Sequence, residues 1–285
     1  MFYGVIDVGS NSVRLMISNG FETISKKVKT TRLAEGMSNG YLTANAINKT
    51  ATAVCEFVSM AKEQAVDEIY IFATAAVRVA VNSKEFLDKV YSLCKMRVDV
   101  VSGELEAQLG LLGALSGKDG GIVDVGGASS EVAVIKSGKN VYSKSIKLGA
   151  VSLKDACGQD YLSSKKFVID KISEYGKVLP SDFYAIGGTA TSIASIFLEC
   201  EPYDPKKING FKISAKDLSS LTLKLYKMSV QERQKLKGLQ PERAEVIAGG
   251  ALILLEIMNK IGVDYVTVSE SDNLEGYLAK KMENK

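Results

Sequence analysis

Apolar positions in this chain alternate, then recur at helical spacing, then alternate again, and the whole succession is played twice. Tyr3-Gly4-Val5-Ile6 is an apolar run closed by Asp7, and Val13, Leu15 and Ile17 alternate with polar neighbours. Two strands joined by a tight turn are predicted. Phe21 to Lys29 supplies a third. Ala44, Ile47, Ala51, Val54, Val58 and Ala61 then recur at helical spacing, with Thr43 placed as N-cap. Glu68 to Ala73 is rich in strand formers. Asn82 followed by Glu85 predicts a capping box before the helix that carries Phe86, Val90 and Leu93. Val98 to Val101 reads as a strand and Gly103 to Leu115 as a helix.

The order restarts after a polar, glycine-rich joint, Ser116-Gly117-Lys118-Asp119-Gly120. Strands are predicted at Gly121 to Val125, Glu131 to Ile135 and Val141 to Lys147, followed by helical segments. A strand at Phe183 to Ile186 runs into Gly187-Gly188-Thr189 and another helix. Ser214 to Ile261 is mostly helical with a break near Gly238 to Pro241, Tyr265 to Val268 is a last strand, and Asp272 starts a closing helix. The pattern βββαβαβα, repeated, predicts an α/β protein of two duplicated domains with a cleft between them. The division is expected at 1–117 and 118–285.

Bulk properties narrow the function. A chain of 285 residues is long enough for two cores. Its net charge is only +3, so no global field points to nucleic acid or to an anionic membrane, and any anionic ligand must be held by local groups. The first apolar stretch is broken by Asp7 and has no basic leader, so no signal peptide is expected and a cytoplasmic location is. Val246 to Leu255, the longest apolar run, is far short of the roughly 20 residues of a spanning helix. Cys55, Cys94, Cys157 and Cys200 lie far apart and read as thiols of a reducing compartment. Histidine is absent. Catalysis therefore has to run on carboxylates, metal and backbone dipoles rather than on a Ser-His-Asp triad or a histidine metal site.

The candidate chemistry sits at the junctions of these elements. Asp-Val-Gly-x-x-Ser occurs as Asp7-Val8-Gly9-Ser10-Asn11-Ser12 and as Asp124-Val125-Gly126-Gly127-Ala128-Ser129, each between two strands. Such a turn gathers N–H groups and hydroxyls around one point and makes an anion site, with phosphate its usual occupant. The preceding carboxylate can hold a divalent cation or orient a water. Arg78, just after a strand, can fork onto phosphate oxygens. Ser102-Gly103-Glu104-Leu105-Glu106-Ala107 opens a helix at a strand exit, where an anion is favoured. Glu104 and Glu106 are two apart, so only one can face the cleft. Gly187-Gly188-Thr189 repeats the glycine-then-helix arrangement.

Taken in order, these stretches resemble the exopolyphosphatase and guanosine pentaphosphate phosphohydrolase (Ppx/GppA) family of the actin/sugar-kinase/Hsp70 superfamily. Further matching stretches are Arg32-Leu33-Ala34-Glu35-Gly36, Leu148-Gly149-Ala150-Val151 and Arg243-Ala244-Glu245-Val246-Ile247. The resemblance covers nearly the whole chain and implies two actin-like (ribonuclease H-like) domains in the family's short form. It implies Glu106 as catalytic base, and Asp124 and Glu131 as essential acids that bind metal and hold the reacting water, with Asp7 near the metal. Gly9, Ser10, Asn11, Gly126, Gly127, Ala128 and Ser129 would cradle the terminal phosphates with Arg78 reaching across, and Gly187, Gly188 and Thr189 would line the substrate. Mg²⁺, with Mn²⁺ as its substitute, is the implied cofactor, and a homodimer the implied assembly.

The chain also departs from the family pattern. Ala128 replaces a glycine, Ser130 a threonine, Leu105 an acid and Gln108 an arginine. Where the family often has Gly-Leu-Arg-Glu-Gly, this chain has Asp272-Asn273-Leu274-Glu275-Gly276, so the arginine is missing. The expected activity is Mg²⁺-dependent release of terminal orthophosphate from polyphosphate, guanosine pentaphosphate (pppGpp), or both. A small-molecule kinase of the superfamily is the second reading, but no acceptor or adenosine motif is evident. A non-catalytic alarmone or nucleotide sensor is the third, and the presence of all three acids argues against it. If polyphosphate is the substrate, Lys144, Lys147, Lys165, Lys166, Lys206, Lys207 and Lys212 could form a cationic track.

Overall fold

The protein is described by a computed structural model covering residues 1–37, 39–179 and 181–283. In the first half β1 (Tyr3–Val8), β2 (Ser12–Ser18) and β3 (Thr23–Thr30) form an antiparallel meander. β1 is buried along its length, as its unbroken apolar run requires, while β3 lies at the edge and is largely exposed. The helix α1 (Ala44–Glu63) starts at Thr43, whose hydroxyl accepts from the Ala46 N–H as predicted. β4 (Glu68–Ala73) then pairs parallel to β1. A short helix, α2 (Ala75–Val79), leads to α3 (Ser83–Cys94), β5 (Asp99–Val100) and α4 (Gly103–Leu115). The sheet order is β3-β2-β1-β4-β5.

The predicted capping box at Asn82 is not formed. Asn82 spends its amide instead on the backbone of Leu42, accepting from its N–H at 2.9 Å and donating to its carbonyl at 3.1 Å. The side chain thus ties the loop before α1 to the start of α3.

The second half repeats the meander with β6 (Gly120–Val125), β7 (Ser130–Lys136) and β8 (Lys139–Ile146). α5 (Ala150–Cys157) and α6 (Tyr161–Ile172) follow, then β9 (Phe183–Ile186), parallel to β6, and α7 (Gly187–Phe197). Next come α8 (Pro205–Ile208), an unanticipated edge strand β10 (Lys212–Ser214), α9 (Ala215–Lys227) and α10 (Val230–Arg233). α11 (Ile247–Ile261) carries the apolar run that ends at Leu255, is buried along most of its length, and continues past Glu256. β11 (Tyr265–Val268) and α12 (Asn273–Glu283) close the chain, and the second sheet runs β10-β11-β9-β6-β7-β8. β6, β7, β8, β9 and β11 take the places that β1 to β5 hold in the first sheet. Among the described residues no helix is long and apolar enough to cross a membrane.

Two helices cross over between the halves. α4 lies on the second sheet, where Ala107, Leu111 and Leu115 pack against Ile122, Ala133 and Ile186. α12 lies on the first, where Leu274, Tyr277 and Leu278 pack against Tyr3, Val5 and Phe72. The two helices touch each other backbone to backbone. A Cβ on Gly113 would fall on the Asp272 carbonyl, and one on Gly276 on the Leu109 carbonyl.

Candidate active site

The two Asp-Val-Gly-x-x-Ser turns have the same internal geometry and face one another. Gly9 N–H donates to the Ser12 carbonyl and Gly126 N–H to the Ser129 carbonyl, both at 3.0 Å. They approach so closely that a Cβ on Gly127 would press on Ser10 Cβ at 2.9 Å. Their carbonyls are occupied from outside. Ser10 O accepts from Ala34 N–H, Asn11 O from Thr31 and Arg32, Gly126 O from Ala150, and Gly127 O from Val151 and Ser152. With the acceptors spent, the turns favour an anion between them. Thr189 Oγ1 donates to the Val125 carbonyl at 2.7 Å, which joins the start of α7 to the second turn.

A cavity of about 90 Å³ lies between the turns. Gly9, Ser10, Asn11, Gly126, Gly127, Ser129, Gly187, Gly188 and Thr189 all line it, with Asp7, Glu106 and Asp124. Ala128 and Arg78 do not; they line a wider opening of about 1050 Å³ beside it. On the far side, beyond Gly187 and Gly188, is a third space of about 250 Å³. Arg14 and Arg243 stand in the wall that it shares with the central cavity.

Glu106 is buried in the first turn of α4, while Glu104 is exposed at the wide opening, as their spacing requires. Arg78 donates to Glu106 Oε2 at 2.7 Å and to the Val101 carbonyl at 3.1 Å. Burial raises the Glu106 carboxyl above its usual range, and Arg78 opposes that rise. Asp124 is pushed up to about 8, first by burial and then by the nearby charge of Glu106. Asp7 is raised by burial despite its contact with Arg14. Glu131 is raised well above the carboxylate range, by burial and by Glu106 and Asp124. It accepts from Ser145 Oγ at 2.6 Å and is not among the residues lining the central cavity, because α4 lies across β7 and β8 on that face.

The donor set suits a hard cation that brings ligands of its own. Among the described residues, no three His, Cys, Asp or Glu side chains form a ready cage. Asp7 Oδ1 and Glu131 Oε2 are nevertheless buried oxygens with no hydrogen-bond partner. A buried carboxylate oxygen left in this state asks for a proton or a cation. Mg²⁺ typically takes one or two carboxylates and fills its octahedron with water and substrate phosphates. Asp7 and Asp124, on opposite sides of the cavity, fit that demand.

Comparison with known proteins decides the family. Residues 12–285 match the Ppx/GppA phosphatase family. The chain belongs to that family. A bifunctional 3-dehydroquinate synthase/phosphatase of Fusobacterium nucleatum subsp. nucleatum is 29% identical over 310 residues, 98% of this chain and 46% of that protein. The chain thus spans about half the length of that relative. Exopolyphosphatase 2 of Mycobacterium tuberculosis is 27% identical over 305 residues, which is 95% of each chain. Among solved structures, the Ppx/GppA protein of Aquifex aeolicus is similar with a TM-score of 0.81 at 26% identity, over 100% of this chain and 99% of that one. An exopolyphosphatase from Cytophaga hutchinsonii shares the fold with a TM-score of 0.89 at 21% identity, over 100% and 98%. The shared fold is two actin-like, ribonuclease H-like α/β domains facing a cleft.

Within this Ppx/GppA fold the sequence reading missed four groups. Arg14 on β2 donates to Asp7 Oδ2 through Nη2 at 2.5 Å and Nε at 3.0 Å, and through Nη1 to Asp272. Burial alone would lower the Arg14 guanidinium's proton affinity; Asp272 and Asp7 raise it well above its usual value. Arg243 lies against Gly188, and its Nε donates to Gln240 Oε1 at 3.3 Å. Burial, with Arg14 nearby, pushes it down to about 10. Asn273 donates to Asp124 Oδ2 at 3.3 Å, and Thr74 lines the cavity beside Glu106. Arg14 had a visible signal: it follows Asp7 by the interval at which Glu131 follows Asp124.

The lysines do not form one row. Lys144 and Lys147 line the wide opening. Lys165 pairs with Glu256 at 3.6 Å on α6, Lys206 lines a separate groove, and Lys212 lies over Tyr265 at the sheet edge.

Proposed function

We propose that this chain is a phosphohydrolase that removes terminal orthophosphate from inorganic polyphosphate, from pppGpp, or from both, with Mg²⁺. The observation that carries the reading is Glu106, a buried carboxylate on the wall of the cavity that the two turns share. The turns' N–H groups and hydroxyls would take the terminal phosphate. Glu106, paired with Arg78, would receive a proton from the water that attacks the terminal phosphorus in line, as the P–O bond to the leaving phosphate breaks. Asp7 and Asp124, backed by Glu131, would hold the cation, which supplies charge neutralisation on the phosphate oxygens. The leaving portion has room in the wide opening, where Arg78, Lys144 and Lys147 provide cations.

The names of relatives support both substrates: an exopolyphosphatase in Mycobacterium tuberculosis, and a guanosine-5'-triphosphate,3'-diphosphate pyrophosphatase in Photobacterium profundum, 26% identical over 98% of this chain. The cytoplasmic setting, the homodimer and the division at residue 117 are likewise proposals. Phosphate release from polyphosphates of several lengths and from pppGpp, with and without Mg²⁺, tests the reading. Release that needs Mg²⁺ and is lost in Glu106→Gln is expected. No release from any of them, or release that survives complete chelation, would overturn it.

A further inference from the structure

Asp272 and Asn273 depart from the family pattern where the segment after β11 enters α12. Leu274, in the place of the family's arginine, is fully buried in the apolar cluster with Tyr3, Phe72 and Leu109. No cation stands there. A carboxylate, Asp272, has been added two residues before it.

Each of the two residues reaches an acid on a different side of the cavity. Asp272 Oδ2 accepts from Arg14, which holds Asp7 with its remaining N–H groups. Asn273, 3% exposed, donates to Asp124 Oδ2. A glycine has no atom that could reach Arg14, and a leucine has none to donate to Asp124. Helix capping does not account for the arrangement. The cap uses Asp272 Oδ1, which accepts from Leu274 N–H at 3.0 Å, and leaves Oδ2 for Arg14.

The junction is also fixed in place. Asp272 N–H donates to Glu275 Oε2 at 3.0 Å, and the Asp272 carbonyl rests where Gly113 of α4 has no side chain. α4 carries Glu106. One crossing of α4 and α12 therefore bears the proposed base, touches Asp124 and reaches Asp7 through Arg14.

We propose that Asp272 and Asn273 are positioning residues that hold Asp7, through Arg14, and Asp124, directly, in the orientation that captures the divalent cation. The proposal rests on the reading of Asp7 and Asp124 as the cation's protein ligands. Partners that orient a metal-binding carboxylate usually matter by tenfold or more in metal affinity.

The test is binding of Mn²⁺ alone to the full chain without substrate, followed by loss of the free-ion electron paramagnetic resonance signal. Asp272→Asn keeps the shape and the cap but removes the charge, and Asn273→Leu restores the family's residue. Each is expected to weaken Mn²⁺ binding roughly tenfold or more, measured below the melting temperature of each variant so that only folded protein is titrated. Should Asn273→Leu fold poorly, the isosteric Asp272→Asn decides. Parent-like Mn²⁺ affinity in these variants, with binding lost in Asp124→Asn, would overturn the proposal and leave the site intact. Parent-like affinity in Asp124→Asn would remove the cation reading itself, and the positioning role with it.

Discussion

Arg14 and Glu131 occupy the same rung of the two duplicated hairpins. Arg14 is paired across β1 and β2 with Asp7, and Glu131 across β6 and β7 with Asp124. One copy therefore faces its acid with a cation, and the other with a second acid. The duplication has been made electrostatically unequal at its centre. Carboxyl groups accumulate on the Asp124 side, where burial and neighbouring acids raise Asp124 and Glu131 and so favour a proton or a cation on them. A cation is wanted on that side, and a phosphate between the turns.

Glu106→Gln keeps the volume of the side chain but cannot take a proton. Turnover should fall roughly 10²–10⁴-fold with KM little changed, measured as initial rates of phosphate release. Near-parental turnover would remove Glu106 as the base.

Arg14→Ala should destabilise the fold by about 3–5 kcal/mol, because it leaves Asp7 and Asp272 buried without their shared partner. Urea unfolding at neutral pH checks this. A loss below about 1 kcal/mol, the scale of an exposed pair, would show that the ion pairs are solvated.

The predictable part of the molecule is its local order. The apolar run of β1, the alternation in β2, the helical recurrence in α1 and the Thr43 cap were all visible because each depends on residues a few positions apart. So were both turns, since the repeat of Asp-Val-Gly-x-x-Ser is a sequence fact. Contacts made by folding were not visible. Arg14 meets Asp272 and Asn273 meets Asp124 only because α12 returns to the first sheet. The burial of Glu131 is of the same kind, since nothing local announces that α4 will pack on β7 and β8. The Asn82 box failed for the same reason: the Leu42 backbone, distant in sequence, competes for its amide.

Gly276→Ala should be strongly destabilising, by about 3 kcal/mol or more, since its Cβ would enter the Leu109 carbonyl and neither helix can yield. Gly249→Ala in α11 is the contrast. Its Cβ would meet a Leu153 methyl at 3.3 Å and the Ala150 carbonyl at an ordinary 3.6 Å, and alanine favours the helix, so its effect should stay within about 1 kcal/mol of neutral. Thermal melts of the pair check the difference; equal melting temperatures would show that the crossing is loose.

Tyr175 gives a pH signature. Its buried hydroxyl donates to the Ser130 carbonyl at 2.8 Å and lies 2.9 Å from Ser130 Oγ, and burial raises it well above its usual value. The native state therefore holds a proton that the unfolded chain releases above about pH 10. The stability from this difference is complete below that pH and lost as pH climbs toward the native value. Tyr175→Phe should melt with a shallower decline between about pH 9 and 11 than the parent. Parallel curves would mean that the hydroxyl ionises in the folded protein.

The exchange of α4 and α12 between the sheets has a consequence for the chain as an object. Cut between residues 117 and 118, the first piece would carry α4 with its Ala107, Leu111 and Leu115 face uncovered, and its sheet would lack the cover of α12. The second piece would have the reverse defect. Each fragment's exposed face is the other's missing part, so neither is an autonomous unit. Co-expressed, they should reassemble in trans into a nicked whole.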